Sequence, residues 1–326
     1  MTHIAASLKN VTKRFGGFVA VEELSFDVKQ GEIYGFLGPN GAGKTTTLRM
    51  MLDIVSPSSG EVMVLGSSSA IPVRRRIGYL PEERGLYRKM KAADSIAYFA
   101  RLRGLNPRAA KERAYELLNQ FGLEQFARTK NEALSKGMAQ KVQLLATIAH
   151  EPEFLILDEP FSGLDPINQQ TLEDLIRMQR DQGRTIIFST HVMQHAERLC
   201  DRFLIIAEGK KRFEGTLSQA RASFAKRVHV RTKASPEALS SLGGVANIRI
   251  ENHEGDGGET TYELELEESA DGQVLLASAV DAGLKLSRFE QAGATLHDIF
   301  VSLVGQDDQD AVSTTDEGLT LKAAAE

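Results

Sequence analysis

The sequence predicts a large α/β domain built on a parallel sheet, followed by a small α+β domain. Two observations carry this prediction. Through about residue 215, short apolar runs alternate with longer helical patterns, which is typical of a parallel sheet with helices on both faces. Over residues 216–304, strand-like and helical runs follow the order β-α-β-β-α-β, which is typical of a split βαβ domain. The length of 326 residues allows for both domains.

Five apolar runs are the predicted strands of the first domain. Each has four or five residues and is apolar throughout, as expected of strands that are covered on both faces. They are residues 33–37, 62–65, 154–157, 185–188 and 203–206. Helical periodicity predicts helices over residues 111–121 and 169–181, which right-handed crossovers would connect to the strands.

The second domain is predicted from shorter alternating elements. Its strands are expected at 227–232, 245–252, 260–267 and 284–289, and its helices at 236–242, 273–282 and 295–304. The sequence GDGG at 255–258 predicts the turn of a hairpin. Residues 305–326 are polar and acidic and contain no aromatic residue, so we predict a disordered tail there.

Composition and charge exclude several classes of protein. With 42% hydrophobic and 25% charged residues, the chain is globular. No apolar run approaches the roughly 18 residues of a membrane span, and the start MTHIAASLKN has no secretory pattern. Cys200 is the single cysteine, so no intrachain disulfide forms and a reducing cytosolic location fits. Residues 1–215 carry 30 Lys and Arg against 25 Asp and Glu, which suits an anionic ligand but is too weak to indicate nucleic acid.

A phosphate-binding loop is the strongest motif. The sequence IYGFLGPNGAGKTTTL at 33–48 runs from an apolar strand into G-x-x-x-x-G-K-[ST] and then into helical residues. Glycines let backbone N–H groups turn toward phosphate oxygens, and the helix N-terminus adds partial positive charge. Lys44 would reach the β- and γ-phosphates, and the Thr45 hydroxyl would ligate Mg²⁺. The predicted nucleotide-binding residues here are Gly38, Pro39, Asn40, Gly41, Ala42, Gly43, Lys44, Thr45 and Thr46.

A pair of acidic residues follows the predicted strand at 154–157. An apolar strand that ends in acids delivers carboxylates to the C-terminal edge of a parallel sheet, where such folds bind ligands. Asp158 is suited to hold Mg²⁺. Glu159, one residue further, points differently and is suited to position or deprotonate an attacking water.

Residues 4–215 resemble the ATP-binding subunit of an ABC transporter, because six elements occur in that family's order. Besides the phosphate loop and the acidic strand, LSKGM at 134–138 looks like the signature LSGGQ, and SGLD at 162–165 is similar to the D-loop. His191 follows a strand as the family's switch histidine does, and Phe15 lies where an aromatic residue usually stacks on adenine. The resemblance implies a P-loop NTPase fold with a helical subdomain at about residues 88–150.

The same resemblance implies how the site works. Two subunits, identical or paralogous, would sandwich two ATP molecules head to tail. Ser135 and Gly137 of one subunit would then receive the γ-phosphate held by the other, and Asp165 would join the ATP site. Glu82 would ligate Mg²⁺ together with Thr45 and Asp158. Glu159, His191 and Lys44 would be the catalytic residues.

Three departures from the family pattern occur. The signature has Lys136 for its first glycine and Met138 for its glutamine, Glu82 replaces the usual glutamine, and Phe15 replaces the common tyrosine. LPEERGLY at 80–87 and LSKGM together resemble the sodium-extrusion and drug-export branch, whose ATPases pair with a separate membrane subunit of the ABC-2 class. Residues 216–304 are similar in size and position to the C-terminal extension of that branch.

The resemblance therefore implies an ATPase subunit of an exporter, held peripherally at the inner face of the plasma membrane by its permease. A basic stretch after Glu82 is the predicted docking site for the permease. The residues do not distinguish sodium, a drug, a lipid or a peptide as the exported substrate, because the export path would lie in another polypeptide.

Two other function classes compete with this interpretation. A soluble ABC protein acting on ribosomes or DNA shares the motifs, but the translation type has two cassettes and the repair type has long coiled coils. This chain has one phosphate loop and no sustained heptads, so no nucleic-acid partner is expected. A P-loop kinase or GTPase would leave LSKGM, SGLD and His191 without an explanation.

Overall fold

The computed structural model describes residues 3–83, 85–224, 226–255, 258–267 and 270–313. Backbone contacts divide the chain into two compact units, Met1–Thr216 and Leu217–Glu326. Among the described residues, no helix has both the length and the apolar character needed to cross a membrane.

The first unit contains nine strands and six α-helices within the described residues. The strands are β1 (Ile4–Phe15), β2 (Phe18–Lys29), β3 (Ile33–Leu37), β4 (Ser59–Val64), β5 (Ile77–Leu80), β6 (Phe154–Leu157), β7 (Thr185–Thr190), β8 (Arg202–Ala207) and β9 (Lys210–Gly215). The helices are α1 (Lys44–Met51), α2 (Ala92–Leu102), α3 (Pro107–Gln120), α4 (Lys136–Ile148), α5 (Pro166–Asp181) and α6 (Met193–Leu199).

The main sheet has the strand order β5-β6-β7-β3-β8-β9, and only β9 runs antiparallel to its neighbour. Every residue of β3, β6 and β7 is buried, as expected of parallel strands covered on both faces. The register pairs Leu37 with Thr190 and Leu157 with Phe188. The carboxyl ends of β3, β6 and β7 therefore meet at one edge, which brings together the segments that follow them.

A second sheet, β2-β1-β4, is antiparallel. The predicted strand at 62–65 belongs here, and the expectation that it is covered on both faces is wrong. In β4 only Val64 is fully buried and Val62 is half-buried against the core, because the strand lies at the edge of the sheet and its other residues are exposed. An antiparallel sheet can leave one face in water, whereas the parallel strands cannot.

Helices α2, α3 and α4 pack together in the part of the chain predicted as a helical subdomain. Their apolar faces meet around Ile96, Ala114, Leu118 and Val142, all of which are fully buried. Asn106 caps the start of α3 by accepting a hydrogen bond from the Ala109 N–H, followed by a proline in the first turn. This cluster holds α4, and with it the segment at 134–138, in place.

The second unit contains four strands and four helices within the described residues. They are α7 (Leu217–Ala222), β10 (Arg227–Thr232), α8 (Pro236–Ser240), β11 (Val245–Gly255), β12 (Glu259–Leu266), α9 (Gly272–Asp281), β13 (Leu286–Ala292) and α10 (Leu296–Ser313). The antiparallel sheet has the order β11-β12-β10-β13. Strands β10 and β11 therefore run parallel to each other with β12 between them, and β12 and β13 run parallel with β10 between them, as in a split βαβ domain.

Strict alternation gives this sheet a buried face and an exposed face. Val228, Val230 and Leu264 point into a core that also takes Leu239 from α8 and Leu275 from α9. The residues between them point to the opposite face.

Two sequence predictions of the second unit fall partly outside the described residues. Residues 256 and 257 of the predicted turn at 255–258 lie outside, although β11 and β12 pair Gly255 with Glu259 on either side. Helix α10 continues to Ser313, nine residues into the predicted tail, and residues 314–326 lie outside.

Candidate active site

The loop at 38–43 connects β3 to α1, and two of its glycines are required by close approach. A Cβ at Gly38 would lie 2.3 Å from the Ile206 carbonyl oxygen, in strand β8. Gly43 has φ +102°, and a Cβ there would lie 2.5 Å from the Ala20 carbonyl oxygen, in strand β2. The loop is therefore wedged between the backbones of two strands from different sheets, and any side chain at either position would displace it.

Lys44 begins helix α1 with its ammonium inside this loop. The side chain is 5% exposed, and Nζ donates to the carbonyl oxygens of Gly38 at 2.7 Å and Pro39 at 3.1 Å. Nζ also lies 3.4 Å from Oε1 of Glu159, which is an ion-pair distance although the two atoms do not form a hydrogen bond. A buried cation held in this way supplies full positive charge next to the loop backbone.

Asp158, at the end of β6, is buried with one oxygen engaged and one not. Its Oδ1 accepts hydrogen bonds from the Ser189 hydroxyl at 2.6 Å and from the Thr45 hydroxyl at 3.2 Å. Its Oδ2 is buried and makes no hydrogen bond. Burial raises the pKa of Asp158, the two hydroxyls oppose this, and the nearby charge of Glu159 adds to it. A cation at Oδ2 would relieve both the missing partner and the cost of burying the charge.

Glu159 is held from three sides. Its backbone has φ +46°, a left-handed conformation that costs a non-glycine residue about 1 kcal/mol or more. Its N–H donates to the Ser189 hydroxyl at 2.9 Å, and its Oε2 lies 3.0 Å from Nδ1 of His191. The carboxylate therefore lies between the imidazole of His191 and the ammonium of Lys44. Strain of this kind persists only where the surrounding contacts over-determine it.

An open pocket of about 950 Å³ extends from the phosphate loop to the tip of the β1–β2 hairpin. Phe15 and Phe18 pair across that hairpin and are 50% and 64% exposed. The Lys13 ammonium lies 4.9 Å from the centre of the Phe15 ring. Exposed aromatic rings at one end and polar loop groups at the other fit a ligand with a flat base and a charged chain. The pocket is lined by Phe15, Phe18, Ala20, Asn40, Gly41, Gly43, Lys44, Thr45, Thr46, Glu82 and Glu159.

Three predicted residues lie elsewhere on the same unit. Ser135 caps α4 by accepting from the Met138 N–H at 3.3 Å, and Asp165 caps α5 by accepting from the Asn168 N–H at 2.9 Å. A Cβ at Gly137 would lie 2.5 Å from the Asn168 amide nitrogen, so the starts of α4 and α5 are in contact. Ser135, Gly137 and Asp165 are not among the described residues that line the pocket.

The substituted signature residue also contacts the segment before α5. The Lys136 side chain lies over Gly163, where any Cβ would collide with its ammonium, and Gly163 has φ +66°. The lysine thus joins the start of α4 to the SGLD segment within one chain. A glycine at position 136 would leave this surface uncovered.

Two residues of the site were not predicted from the sequence. Ser189 bridges Asp158 and Glu159 through its hydroxyl. A polar residue directly after the apolar run at 185–188 indicates a side chain at the end of a strand, as Asp158 and Glu159 do after the run at 154–157. Phe18 lines the pocket beside Phe15, and the sequence FGGF, two aromatics around a glycine turn, was the signal for it.

Replacing Asp158 by asparagine is expected to stabilise the protein without ligands at neutral pH. Folding raises the pKa of Asp158. At pH values above about 3.9, the pKa of this carboxyl in the unfolded chain, the folded chain therefore binds more protons than the unfolded chain. The contribution of Asp158 to the free energy of unfolding therefore falls as pH rises from its pKa in the unfolded chain to its pKa in the folded chain. The unfolding midpoint of Asp158→Asn should exceed that of the wild type by roughly 2 °C or more at about pH 8, and by less at about pH 4.5.

Thermal unfolding in a chelating buffer across this pH range measures the effect. Asp174→Asn, an exposed carboxylate on α5, is the matched control and should show no such pH-dependent gap. A gap of the same size at both pH values would contradict the assignment of the shift to Asp158.

The family model described as ABC transporter matches residues 21–162. The model described as the C-terminal domain of DrrA1-3-like ATP-binding proteins matches residues 215–304. The two matches together span most of the described chain.

Individual relatives agree with the family models. The ABC transporter ATP-binding protein YhaQ of Bacillus subtilis strain 168 is 38% identical over 300 residues, covering 92% of this chain and 98% of YhaQ. The Nod factor export ATP-binding protein I of Burkholderia orbicola strain AU 1054 is 40% identical, covering 64% of this chain and 69% of its own.

A solved structure of an ATP-binding cassette, described as a post-hydrolysis dimer with ADP and phosphate bound, superposes with a TM-score of 0.60. It is 25% identical and covers 65% of this chain and 98% of its own. None of these three proteins is described as acting on ribosomes or DNA.

Proposed function

The chain belongs to the ATP-binding proteins of ABC transporters, and on that premise we propose that it powers export through a separate ABC-2 type membrane permease. The resemblance and the fold class predicted from the sequence are confirmed, and ATP hydrolysis is the activity of the family domain. The observation that carries the proposal is the carboxylate of Glu159, held between Lys44 and His191 beside the phosphate loop. An export role is supported by the name of one relative.

We infer that residues 1–215 bind one ATP along the open pocket of the first unit. The adenine stacks on Phe15, and the exposed Phe18 extends the same aromatic surface. The phosphates follow the loop at 38–46, where backbone N–H groups and the Lys44 ammonium meet their charge. Residues 216–304 act as an accessory domain.

The donor set at the loop fits Mg²⁺. Oxygen ligands are what this ion prefers, and Asp158 offers a buried oxygen that has no other partner. Thr45 and the exposed Glu82 are the other proposed ligands, and both line the pocket. When bound, the ion neutralises charge on the β- and γ-phosphates.

Hydrolysis is assigned to three side chains. Glu159 orients the attacking water and accepts its proton, and the His191 imidazole fixes the direction of that carboxylate through Nδ1. Lys44 and His191 stabilise charge on the transferring γ-phosphoryl group. The carboxylate lies between both groups already without ligands.

The position of Ser135, Gly137 and Asp165 supports a head-to-tail dimer. They lie together at the starts of α4 and α5 and do not line the pocket of their own chain. In the proposed dimer with a copy or a paralogue, this surface covers the γ-phosphate held by the other subunit. Lys136 adds a positive charge to the same surface.

A segment between β5 and α2 is the proposed docking site for the permease. Glu82 lines the nucleotide pocket, while Arg88 and Lys89 are exposed a few residues later. Asn131 donates to the Tyr87 carbonyl oxygen at 2.9 Å, which ties the segment to the helical cluster. A change at the pocket is thus transmitted to an exposed basic surface. The permease, in turn, holds the chain at the inner face of the plasma membrane.

The proposal is tested by purifying the tagged chain from detergent-solubilised membranes of its own source. A multi-span protein recovered in stoichiometric amount is the expected result. Recovery from the soluble fraction alone, or with ribosomal or DNA-associated proteins, would overturn the export assignment and leave the ATPase chemistry intact.

Reversing the charge at Arg88 and Lys89 is expected to uncouple the chain from the permease. The double variant Arg88→Glu/Lys89→Glu should lower co-purified permease by about tenfold, since like charges at a docking surface cost several kcal/mol. Its ATPase rate without the permease should stay within about twofold, because neither residue lines the pocket. Arg101→Glu/Lys111→Glu, also exposed in the helical cluster, is the matched control. Equal recovery with both double variants would contradict the docking site.

A further inference from the structure

Three potential metal ligands converge on the exposed face of the second unit's sheet. His229 on β10, Glu263 on β12 and Glu251 on β11 each bring one ligand atom within 4.8 Å of the other two. His229 Nδ1 and Glu251 Oε2 are already 3.0 Å apart. The three strands are neighbours in the sheet, with β12 in the middle.

The backbone explains why these side chains meet. The residues on either side of His229 and of Glu263 point into the core, so both side chains point outward. The register places His229 directly opposite Glu263, at the distance of a cross-strand pair. Between Ile250 and Asn252 the β11–β12 register shifts, so Glu251 lies at an irregularity, and such irregularities re-aim a side chain.

We propose that His229, Glu251 and Glu263 bind one divalent transition-metal ion, of which Zn²⁺ is the representative. Imidazole nitrogen and carboxylate oxygen bind Zn²⁺ at about 2.0–2.2 Å, which puts tetrahedral ligand atoms about 3.3 Å apart. The present spacing, within 4.8 Å, is somewhat wider, so metal binding would draw the ligand atoms closer together. Three protein ligands leave a fourth position for water. The site is independent of the proposed function, because all three residues belong to the second unit.

The charges around the cluster are mixed, because Arg249 of β11 lies opposite Glu263 in the register and Glu290 of β13 lies opposite His229. Two carboxylates carry a charge that one divalent ion balances. Glu263 and His229 are only 16% and 23% exposed, so their charges and dipoles are less screened than those of free surface groups. Arg227 lies 3.5 Å from Oε2 of Glu263 and acts as an outer partner that orients this carboxylate.

The alternative is a network of ion pairs with no metal. In that case Arg227 and Glu263, and His229 and Glu251, would simply pair on the sheet surface, as exposed charged groups commonly do. The two interpretations differ in what Zn²⁺ does to the protein, because an ion-pair network gains nothing from the metal.

The test uses the full chain, with any affinity tag removed, titrated with Zn²⁺ by calorimetry and with Co²⁺ by absorption spectroscopy. We expect one Zn²⁺ to be lost in His229→Gln and in Glu263→Gln, or its affinity to fall by at least about tenfold. His297→Gln, an exposed histidine of α10 in the same unit, is the control and should keep wild-type binding. Zn²⁺ should also raise the unfolding midpoint of the wild type and the control more than that of the two ligand variants.

Circular dichroism without metal shows whether the variants fold. Identical Zn²⁺ stoichiometry and affinity in the wild type and both ligand variants would overturn the proposal, since the ions would then lie elsewhere. Failure of the folded wild type to bind Zn²⁺ would overturn it as well and leave the ion-pair network.

Discussion

Glu159→Gln is expected to slow ATP turnover by at least about two orders of magnitude and to leave ATP binding intact. An amide has the shape of the carboxylate but cannot accept the proton of the attacking water. The structure supports a specific loss, because the Glu159 N–H bond to Ser189 does not depend on its side chain. The variant should therefore keep its backbone conformation and its pocket.

A second consequence of this substitution concerns the dimer. If hydrolysis reopens the closed pair of subunits, a variant that binds but does not hydrolyse ATP should accumulate as an ATP-bound dimer. Phosphate release, ATP calorimetry and size-exclusion chromatography with and without ATP measure the three properties. Glu153→Gln, half-exposed immediately before strand β6, is the matched control and should behave as the wild type. Wild-type turnover in Glu159→Gln would remove Glu159 from its assigned role.

Lys44→Met is expected to weaken ATP binding itself by about ten- to a hundredfold, which distinguishes it from the first variant. Charge-assisted hydrogen bonds are worth about 1.5–3 kcal/mol each. Within the loop at 38–46, the Lys44 ammonium is the only full positive charge that we assign to binding the phosphates of ATP. Methionine keeps most of the apolar stem, so the loop should stay packed. ATP calorimetry reports the loss, and Lys111→Met on the exposed surface of α3 is the control.

The fold of Lys44→Met needs a separate measurement. Oε1 of Glu159 is buried and has no hydrogen bond, so removal of the cation 3.4 Å away leaves a carboxylate with less compensation. Some loss of thermal stability is therefore expected. If the folded variant bound ATP as tightly as the wild type, Lys44 would have no part in phosphate binding.

The parallel strands and the motifs were predictable because their information is local. Strands β3 and β6 were predicted to the residue, since strands buried on both faces are continuous apolar runs. The phosphate loop and the acidic pair are short stretches of consecutive residues, and the chemical role of each follows from the residue types that it contains. In contrast, β1 and β2 contain several charged residues, and register shifts interrupt their alternation, so a period of two is clear only over short stretches such as residues 24–29.

Several contacts between distant segments were not predicted from the sequence. Ser189 joins the site only because β7 lies beside β6, and this neighbour relation follows from sheet order rather than from any motif. His229, Glu251 and Glu263 are similarly brought together by the pairing of three strands. Lys136 was recognised as a departure from the signature, but its contact with Gly163 depends on how α4 and α5 pack.

The close approach of Gly38 and Gly43 to two neighbouring strands bears on the thermodynamics of nucleotide binding. Fixing the backbone of one residue costs about 1–2 kcal/mol in conformational entropy, and a flexible loop would incur this cost whenever the ligand arrived. Here the carbonyl groups of Ile206 and Ala20 already confine the loop at both ends. The entropic cost is met during folding, so the binding free energy of the phosphates is available for affinity rather than for ordering the loop.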